Sequence, residues 1–374
     1  MHYKRMDIEK ESPEEVGAVI RYNLSESAVS DRTLSGLNIS IPADLVLTYT
    51  EHQGNSIIRS SVAAVSGGSL SPEDVLVTAG ASTALFIVES ALLGPKDHFI
   101  ITRPNYATSL EIARGIGCDM TIIDLDFESQ YRLSPNEIAA AIRPGETKLI
   151  SICSPNNPTG TVVPAEQLRE IAVLAKSHGC FLLIDETYID LTFPDSELEP
   201  IPAAASLGDH VIGVSSMSKA YGVPGIRVGW LTTTNAVLQE LFLAAKEQIS
   251  ISGSVLDELV AEQILARREE LLSSTRAEMQ RRRDQIAAWI DDNSDIFEWV
   301  RPEAGVMCFV KMKKVPLRDT QAFYDRLLRE YGTYVGPGRW FERQDIFFRL
   351  GFGWPSSEAL TAGLQAISKA LRAY

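Results

Sequence analysis

The chain has 374 residues, 45% hydrophobic and 22% charged, enough for two or three lobes around a large core. Its net charge of −14 excludes a nucleic-acid binder, which needs a basic surface, and argues against adhesion to anionic membranes. Its four cysteines lack metal-ligand spacing, its first ten residues lack a signal-peptide core, and no run is long enough to span a bilayer, so a cytoplasmic enzyme is expected.

Residues 12–21 open with Ser12-Pro13-Glu14-Glu15, a capping box with proline at the first helical position. This predicts a short helix followed by an extended Tyr22–Ser27 segment. Leu45–Tyr49 leads into Gly54-Asn55, and Ile57, Ile58 and Ala63 at helical spacing mark another helix. From Asp74 onwards apolar runs alternate with amphipathic helices. The runs V-L-V-T-A-G, H-F-I-I-T-R-P, M-T-I-I-D-L, K-L-I-S-I-C-S-P, C-F-L-L-I-D-E, V-I-G-V-S-S and R-V-G-W-L-T read as strands. Helices fall at Ser82–Leu93, in the stretch ending at Ile116, and from Pro164 to Gly179. The pattern predicts an α/β fold with a mostly parallel sheet covered on both faces, hence three layers. A helical stretch from about Ser254 to Ile290, with a charged break near Arg267, leads to a smaller α+β lobe. That lobe carries Met307–Lys311, Thr320–Glu330, Ile346–Leu350 and Glu358–Leu371.

In doubly wound sheets ligands bind beyond the carboxyl ends of the strands, and several chemistry-bearing residues fall there. Lys219, in S-S-M-S-K-A-Y-G-V-P-G-I-R-V-G-W, can act as a nucleophile if burial beside other cations keeps it neutral. Ser216, Ser218, amides freed by Gly222 and Gly225, and the charge of Arg227 suit a phosphate, which together point to pyridoxal phosphate (PLP). An exposed surface loop is the plain alternative. Thr78–Thr83 turns a strand into a helix whose N-terminal amides also suit a phosphate, or it is an ordinary tight turn. Asn157 can donate to a phenolate oxygen, or simply form an Asn-Pro turn. Asp185, in an apolar strand, needs a partner such as a pyridinium nitrogen, unless it caps a helix. Tyr188 can reach the same phenolate oxygen as Asn157. Tyr106 can stack on a ring, although an aromatic near a strand end is more often core.

The ordered set T-A-G-A-S-T, P-N-Y, N-N-P-T-G, I-D-E-T-Y and S-M-S-K-A-Y-G-x-P-G-x-R-x-G resembles the fold-type I PLP enzymes of aminotransferase class I/II, over roughly residues 45–370. The resemblance implies a Schiff base at Lys219 and a pyridinium partner at Asp185. It places Asn157 and Tyr188 on the phenolate oxygen and Tyr106 on the ring. Gly80, Ala81, Ser82, Ser216, Ser218 and Arg227 take the phosphate, joined by a Tyr49 lent from the other subunit of a homodimer. The Ile249–Ser254 run is expected at the same interface. Arg349 pairs the α-carboxylate of an amino acid substrate. Residues 1–44 form a segment that packs with the small domain and covers the site, residues 45–275 the large PLP-binding domain, and residues 276–374 the small domain.

The family's cover segment resembles N-x-N-P-x-G, whereas this chain has N-L-S-E-S-A-V-S-D, preceded by Asp7, Glu9, Glu11, Glu14 and Glu15. Most of these carboxylates read as a solvated helix face. Glu9, Glu26 and Ser25 are the candidates to meet a cationic substrate side chain, in a cover that also carries Asp31. No arginine or lysine in the first 31 residues sits at an obvious position to receive an acidic side chain, although Arg21 could. With S-K-A-Y-G-V-P-G-I-R-V-G-W and I-S-I-S-G-S, the segment is similar to capreomycidine synthase and the L-enduracididine cyclases, which close a guanidino ring on hydroxylated arginine. Two functions follow. One is a cyclase in which Lys219 removes the Cα proton, hydroxide leaves and the guanidine closes the ring; the other is an ordinary α-amino acid:2-oxo acid aminotransferase. A regulator that has kept the fold is expected to carry a DNA-binding domain, for which there is no room before Tyr49.

Overall fold

The structure, a computed structural model, describes residues 2–17, 19–193, 195, 199–313 and 319–373. Seven strands form the central sheet. They are β1 (Val75–Thr78), β2 (His98–Arg103), β3 (Asp119–Asp124), β4 (Thr147–Cys153), β5 (Phe181–Asp185), β6 (Val211–Ser216) and β7 (Gly229–Thr232). Their spatial order is β1-β7-β6-β5-β4-β2-β3. Only β7 runs against its neighbours, so six strands share one direction. All seven apolar runs become strands.

The period-2 alternation of the strands divides their side chains between two cores. Ile150, Ile152, Leu182 and Ile184 bury against Leu168, Ile171, Ala172 and Ala175 of the helix Ala165–Ser177. Leu149, Leu183 and Ile212 point the other way. They meet Leu85 and Val88 of the helix Ala81–Leu92 and Phe242 of the helix Ala236–Ser250. Helices therefore cover both faces, which gives the three expected layers.

Two helices, Val255–Leu265 and Arg268–Asp292, lead out of this body, with the expected break at Ala266-Arg267. The division expected at 275/276 falls inside the second of them. The strands β8 (Phe297–Trp299), β9 (Met307–Met312), β10 (Gly336–Pro337) and β11 (Phe347–Gly351) then form an antiparallel sheet in the order β10-β11-β9-β8. The helices Thr320–Tyr331 and Ser357–Arg372 complete this lobe.

The N-terminal segment departs from expectation. The helix predicted from 12–21 is a single turn, Pro13–Val16, in which Ser12 makes no side-chain cap and Gly17 ends the turn at φ 81°. Asp7–Lys10 forms another single turn. The extended stretch is real, and Tyr22–Asn23 pairs in parallel with Thr333–Tyr334 of the small lobe. Two helices went unread in the sequence although their caps are spelled out there. Ser134 and Glu137 form a capping box for Pro135–Ala141, and the Asn235 side chain accepts from the Val237 and Leu238 amides. Such a cap stabilises a helix by about 1 kcal/mol. Among the described residues no helix is long and apolar enough to cross a membrane.

Candidate active site

A cavity of about 360 Å³ opens at the carboxyl ends of the parallel strands, between the central sheet, the small lobe and the N-terminal segment. At one end the helix Ala81–Leu92 begins at Gly80, which sits at φ 84° and has no side chain with which to cap the first amides. A Cβ there would lie 2.5 Å from Arg227 Nη2, and one on Gly229 would lie 2.8 Å from Ala81 N. Both glycines are needed to let the guanidinium and strand β7 approach this helix end. Arg227 Nη1 reaches Pro224 O at 2.9 Å and Ser218 Oγ at 3.4 Å. Ser82, Ser216 and Ser218 line the same end. Free helix amides, hydroxyls and a guanidinium form a concave set of donors, as a phosphate dianion requires.

Asp185, the last residue of β5, is 6% exposed and lines the cavity. Both of its hydrogen bonds fall on Oδ1, from Thr187 N at 3.0 Å and Thr187 Oγ1 at 2.5 Å. Burial pushes its pKa up, opposed by these bonds and by the charge of Lys219. A carboxylate so placed is stabilised by a cationic N–H partner. Asn157 is buried beyond β4, and its Oδ1 accepts from Arg349 Nη1 at 3.1 Å, so its NH2 group stays available as a donor. Tyr106 lines the cavity half-buried, at the start of the helix Ala107–Ile116. Tyr188, expected to face a phenolate oxygen, instead gives its one proton to the Ser27 carbonyl at 3.1 Å.

Lys219 follows β6. Its Nζ donates to Ser27 Oγ at 3.0 Å. Burial, then the positive charge of Arg349, then Arg227 push its pKa down to about 8, while Glu26 and Glu9 act in the opposite sense. A substantial neutral fraction near pH 7–8 is what a nucleophilic or basic amine needs.

Arg349 lies on β11, buried beside Phe341 and Trp340, whose ring centroids are 5.1 and 5.8 Å from its Cζ. Nη2 donates to Ser25 O at 2.6 Å, but Nε has no partner among the described residues. An unsatisfied buried donor costs about 1–3 kcal/mol, which a ligand carboxylate would recover.

The cover segment places Ser25, Glu26, Ser27, Glu9 and Glu14 at the cavity. The Ser25 hydroxyl is spent on Asn23 Oδ1 at 2.8 Å, so Ser25 offers the carbonyl that holds Arg349. Other expected members lie elsewhere. Asp31 accepts from Trp354 Nε1 at 2.9 Å and does not line the cavity. Glu11, read as solvated, is held by Arg339 Nη2 at 2.9 Å and Trp340 Nε1 at 2.7 Å. Arg21 is exposed and outside the lining. Tyr49 is also outside it, 77% exposed, and so is the Ile249–Ser254 run, where Ile251 adopts φ 54°. A β-branched residue in that region is strained. Ser27, Glu14, Thr187 and Trp340 were missed. The first three are polar letters inside segments already singled out, while nothing in the sequence marks Trp340.

The residues fit one cofactor. The glycine-walled cradle takes a phosphate, Asp185 a protonated ring nitrogen, and the Lys219 amine an aldehyde carbon, and PLP presents all three. This is a PLP-dependent enzyme. The chain belongs to the aminotransferase class I and II family, whose model matches residues 45–367. It is similar to the solved structure of a PLP-dependent aminotransferase from Streptococcus suis 89-1591, 30% identical, with a TM-score of 0.90 over 100% of this chain and 99% of that one. It is 28% identical to capreomycidine synthase of Streptomyces vinaceus over 93% of this chain and 89% of that protein. Arginine–pyruvate transaminase of Pseudomonas aeruginosa is 29% identical over 78% of this chain and 74% of its own length.

Proposed function

We propose that the enzyme acts on an α-amino acid with a guanidino side chain, closing a cyclic guanidino amino acid from hydroxyarginine by elimination and ring formation. The observation that carries this reading is the charge layout of the cavity. Arg349, with an unpartnered Nε, suits an α-carboxylate, while Glu9, Glu14 and Glu26 supply acids from the cover segment. A substrate anionic at one end and cationic at the other matches both. The two curated relatives support it, one named for arginine and the other for a cyclic product of the expected kind.

In this reading Lys219 holds the cofactor and, once freed, takes the proton from substrate Cα. Gly80, Ala81, Ser82, Ser216, Ser218 and Arg227 hold the phosphate, Asp185 the ring nitrogen, Asn157 the phenolate oxygen, and Tyr106 a ring face, while Tyr188 holds the Ser27 carbonyl. The bound cofactor supplies an electron sink for the pair left by the Cα–H bond. Arg349 fixes the α-carboxylate, with Asn157 and Ser25 holding the guanidinium in place. Glu9 and Glu26 meet the side chain. Residues 1–44 act as the cover, 45–275 as the cofactor-binding domain and 276–374 as the small domain of a cytoplasmic enzyme.

The test is product analysis with arginine and hydroxyarginine, with and without pyruvate. A cyclic product formed without any 2-oxo acid supports the cyclase. Amino transfer from arginine that requires pyruvate, with no ring formed, selects the second reading, an aminotransferase, which the transaminase relative favours. Glu26→Gln should raise KM for the guanidino substrate about tenfold with little change in kcat, because it removes binding shared by ground and transition states. An unchanged KM would remove Glu26 from the substrate site.

The exposed Tyr49 has a use only if a second copy brings it to a cavity, and we propose a homodimer with shared sites. The Ile249–Ser254 run is proposed to approach the same neighbouring cavity. Mixing Tyr49→Ala and Lys219→Ala chains, each nearly inactive alone, should restore about a quarter of wild-type activity. Half the dimers are then mixed, and each mixed dimer has one intact site. No recovery on mixing would place Tyr49 in its own subunit's structure.

A further inference from the structure

Ser27 touches two groups of the proposed chemistry at once. Its Oγ accepts from Lys219 Nζ at 3.0 Å, and its carbonyl accepts the Tyr188 hydroxyl at 3.1 Å. The residue is 5% exposed and lines the cavity. We infer that Ser27 is a further catalytic residue, whose hydroxyl passes a proton from the Lys219 ammonium to the hydroxyl group that leaves the substrate. This rests on the cyclase reading.

The need is chemical. Hydroxide is a poor leaving group and departs readily only when it takes a proton as the C–O bond breaks. Three other hydroxyls of the cavity lining are already committed. Tyr188 donates to the Ser27 carbonyl, Thr187 Oγ1 to Asp185, and Ser25 Oγ to Asn23. Ser27 Oγ accepts from the lysine and donates to no described residue, so its own proton is uncommitted.

The step balances without an added reactant. The Cα–H bond breaks, its proton goes to Lys219 Nζ, and its electron pair becomes a double bond to the adjacent carbon. The C–O pair leaves with the oxygen, which takes the Ser27 Oγ proton and departs as water. Ser27 is reprotonated from the Lys219 ammonium, which returns to the neutral amine. A guanidine nitrogen then bonds to the carbon that lost oxygen, giving up one proton while Cα gains one. The net change is the loss of one water.

The experiment follows hydroxyarginine in deuterated water with the holoenzyme, reading ring formation by mass spectrometry and exchange of the α-proton by NMR. Ser27→Ala should slow ring formation about 100-fold, within the range of a lost acid–base group, and leave α-proton exchange within about threefold of wild type. Ser27→Thr, which keeps a hydroxyl, should retain ring formation within about tenfold. A parallel fall of both rates in Ser27→Ala, or no fall in either, overturns the relay. A wild type that exchanges the α-proton but forms no ring defeats the cyclase reading, and the relay with it, before any variant is compared.

A second readout needs no cofactor. In the cofactor-free chain, the pH dependence of Lys219 carbamylation reports the titration of its amine. Loss of a hydroxyl that accepts from the ammonium should move the midpoint down by roughly 1 unit. Arg349, Arg227, Glu26, Glu9 and Asp185, the charged groups that act on this amine, are unchanged in the variant. An unmoved midpoint would show that the contact with Ser27 does not form in solution.

Discussion

Lys219→Ala is expected to lower turnover by at least about 10⁴-fold and to leave no site at which borohydride fixes the cofactor. Among the described residues no other lysine lines the cavity, and burial, then the positive charges of Arg349 and Arg227, hold its pKa down to about 8. The neutral form is the one that takes a proton, so α-proton exchange by the wild-type enzyme should rise with pH and level off above about 8. The variant should show no such rise. Mass spectrometry of the borohydride-treated protein and NMR exchange rates check both statements. A reducible adduct on another lysine of Lys219→Ala would sink the assignment.

Asp185→Ala ranks next. Cofactor should still bind through the phosphate cradle, since Arg227 and the helix amides at Ala81 are untouched. Turnover should fall about 10²–10³-fold, the usual loss when one preorganised electrostatic partner is removed. The carboxylate is 6% exposed and Thr187 holds Oδ1 with two hydrogen bonds, so its place is set before any ligand arrives. Absorbance of the bound cofactor together with steady-state rates separates the two effects. Near-normal turnover with full occupancy would deny Asp185 its role.

The central body was legible because its signals are local. Seven apolar runs specify the strands, and four of them lead into Gly80, Asn157, Asp185 and the Ser216–Lys219 stretch, the residues carried past the strand ends. The N-terminal segment was misread for the opposite reason. Its conformation is decided by contacts more than 300 residues away, such as Glu11 with Arg339 and Tyr22 with Thr333, which no local pattern encodes. Ser12 and Glu15 spell a capping box that does not form: Ser12 makes no side-chain cap, and the Glu15 carboxylate accepts from Arg5 instead. Trp340 was invisible because an aromatic residue becomes a cavity wall only through tertiary placement.

The Glu11 clamp has a bearing on how substrate length is judged. Arg339 and Trp340 follow β10, which pairs with the strand carrying Arg349, so the acidic cover and the carboxylate receptor are fastened to one body. In the proposed reading, the two ends of an extended amino acid are held as between the jaws of a caliper joined through the small sheet and steadied by the central body at Asn157 and Lys219. Homologues one methylene shorter or longer should therefore be sorted on first contact, before the reacting carbon is brought to Lys219.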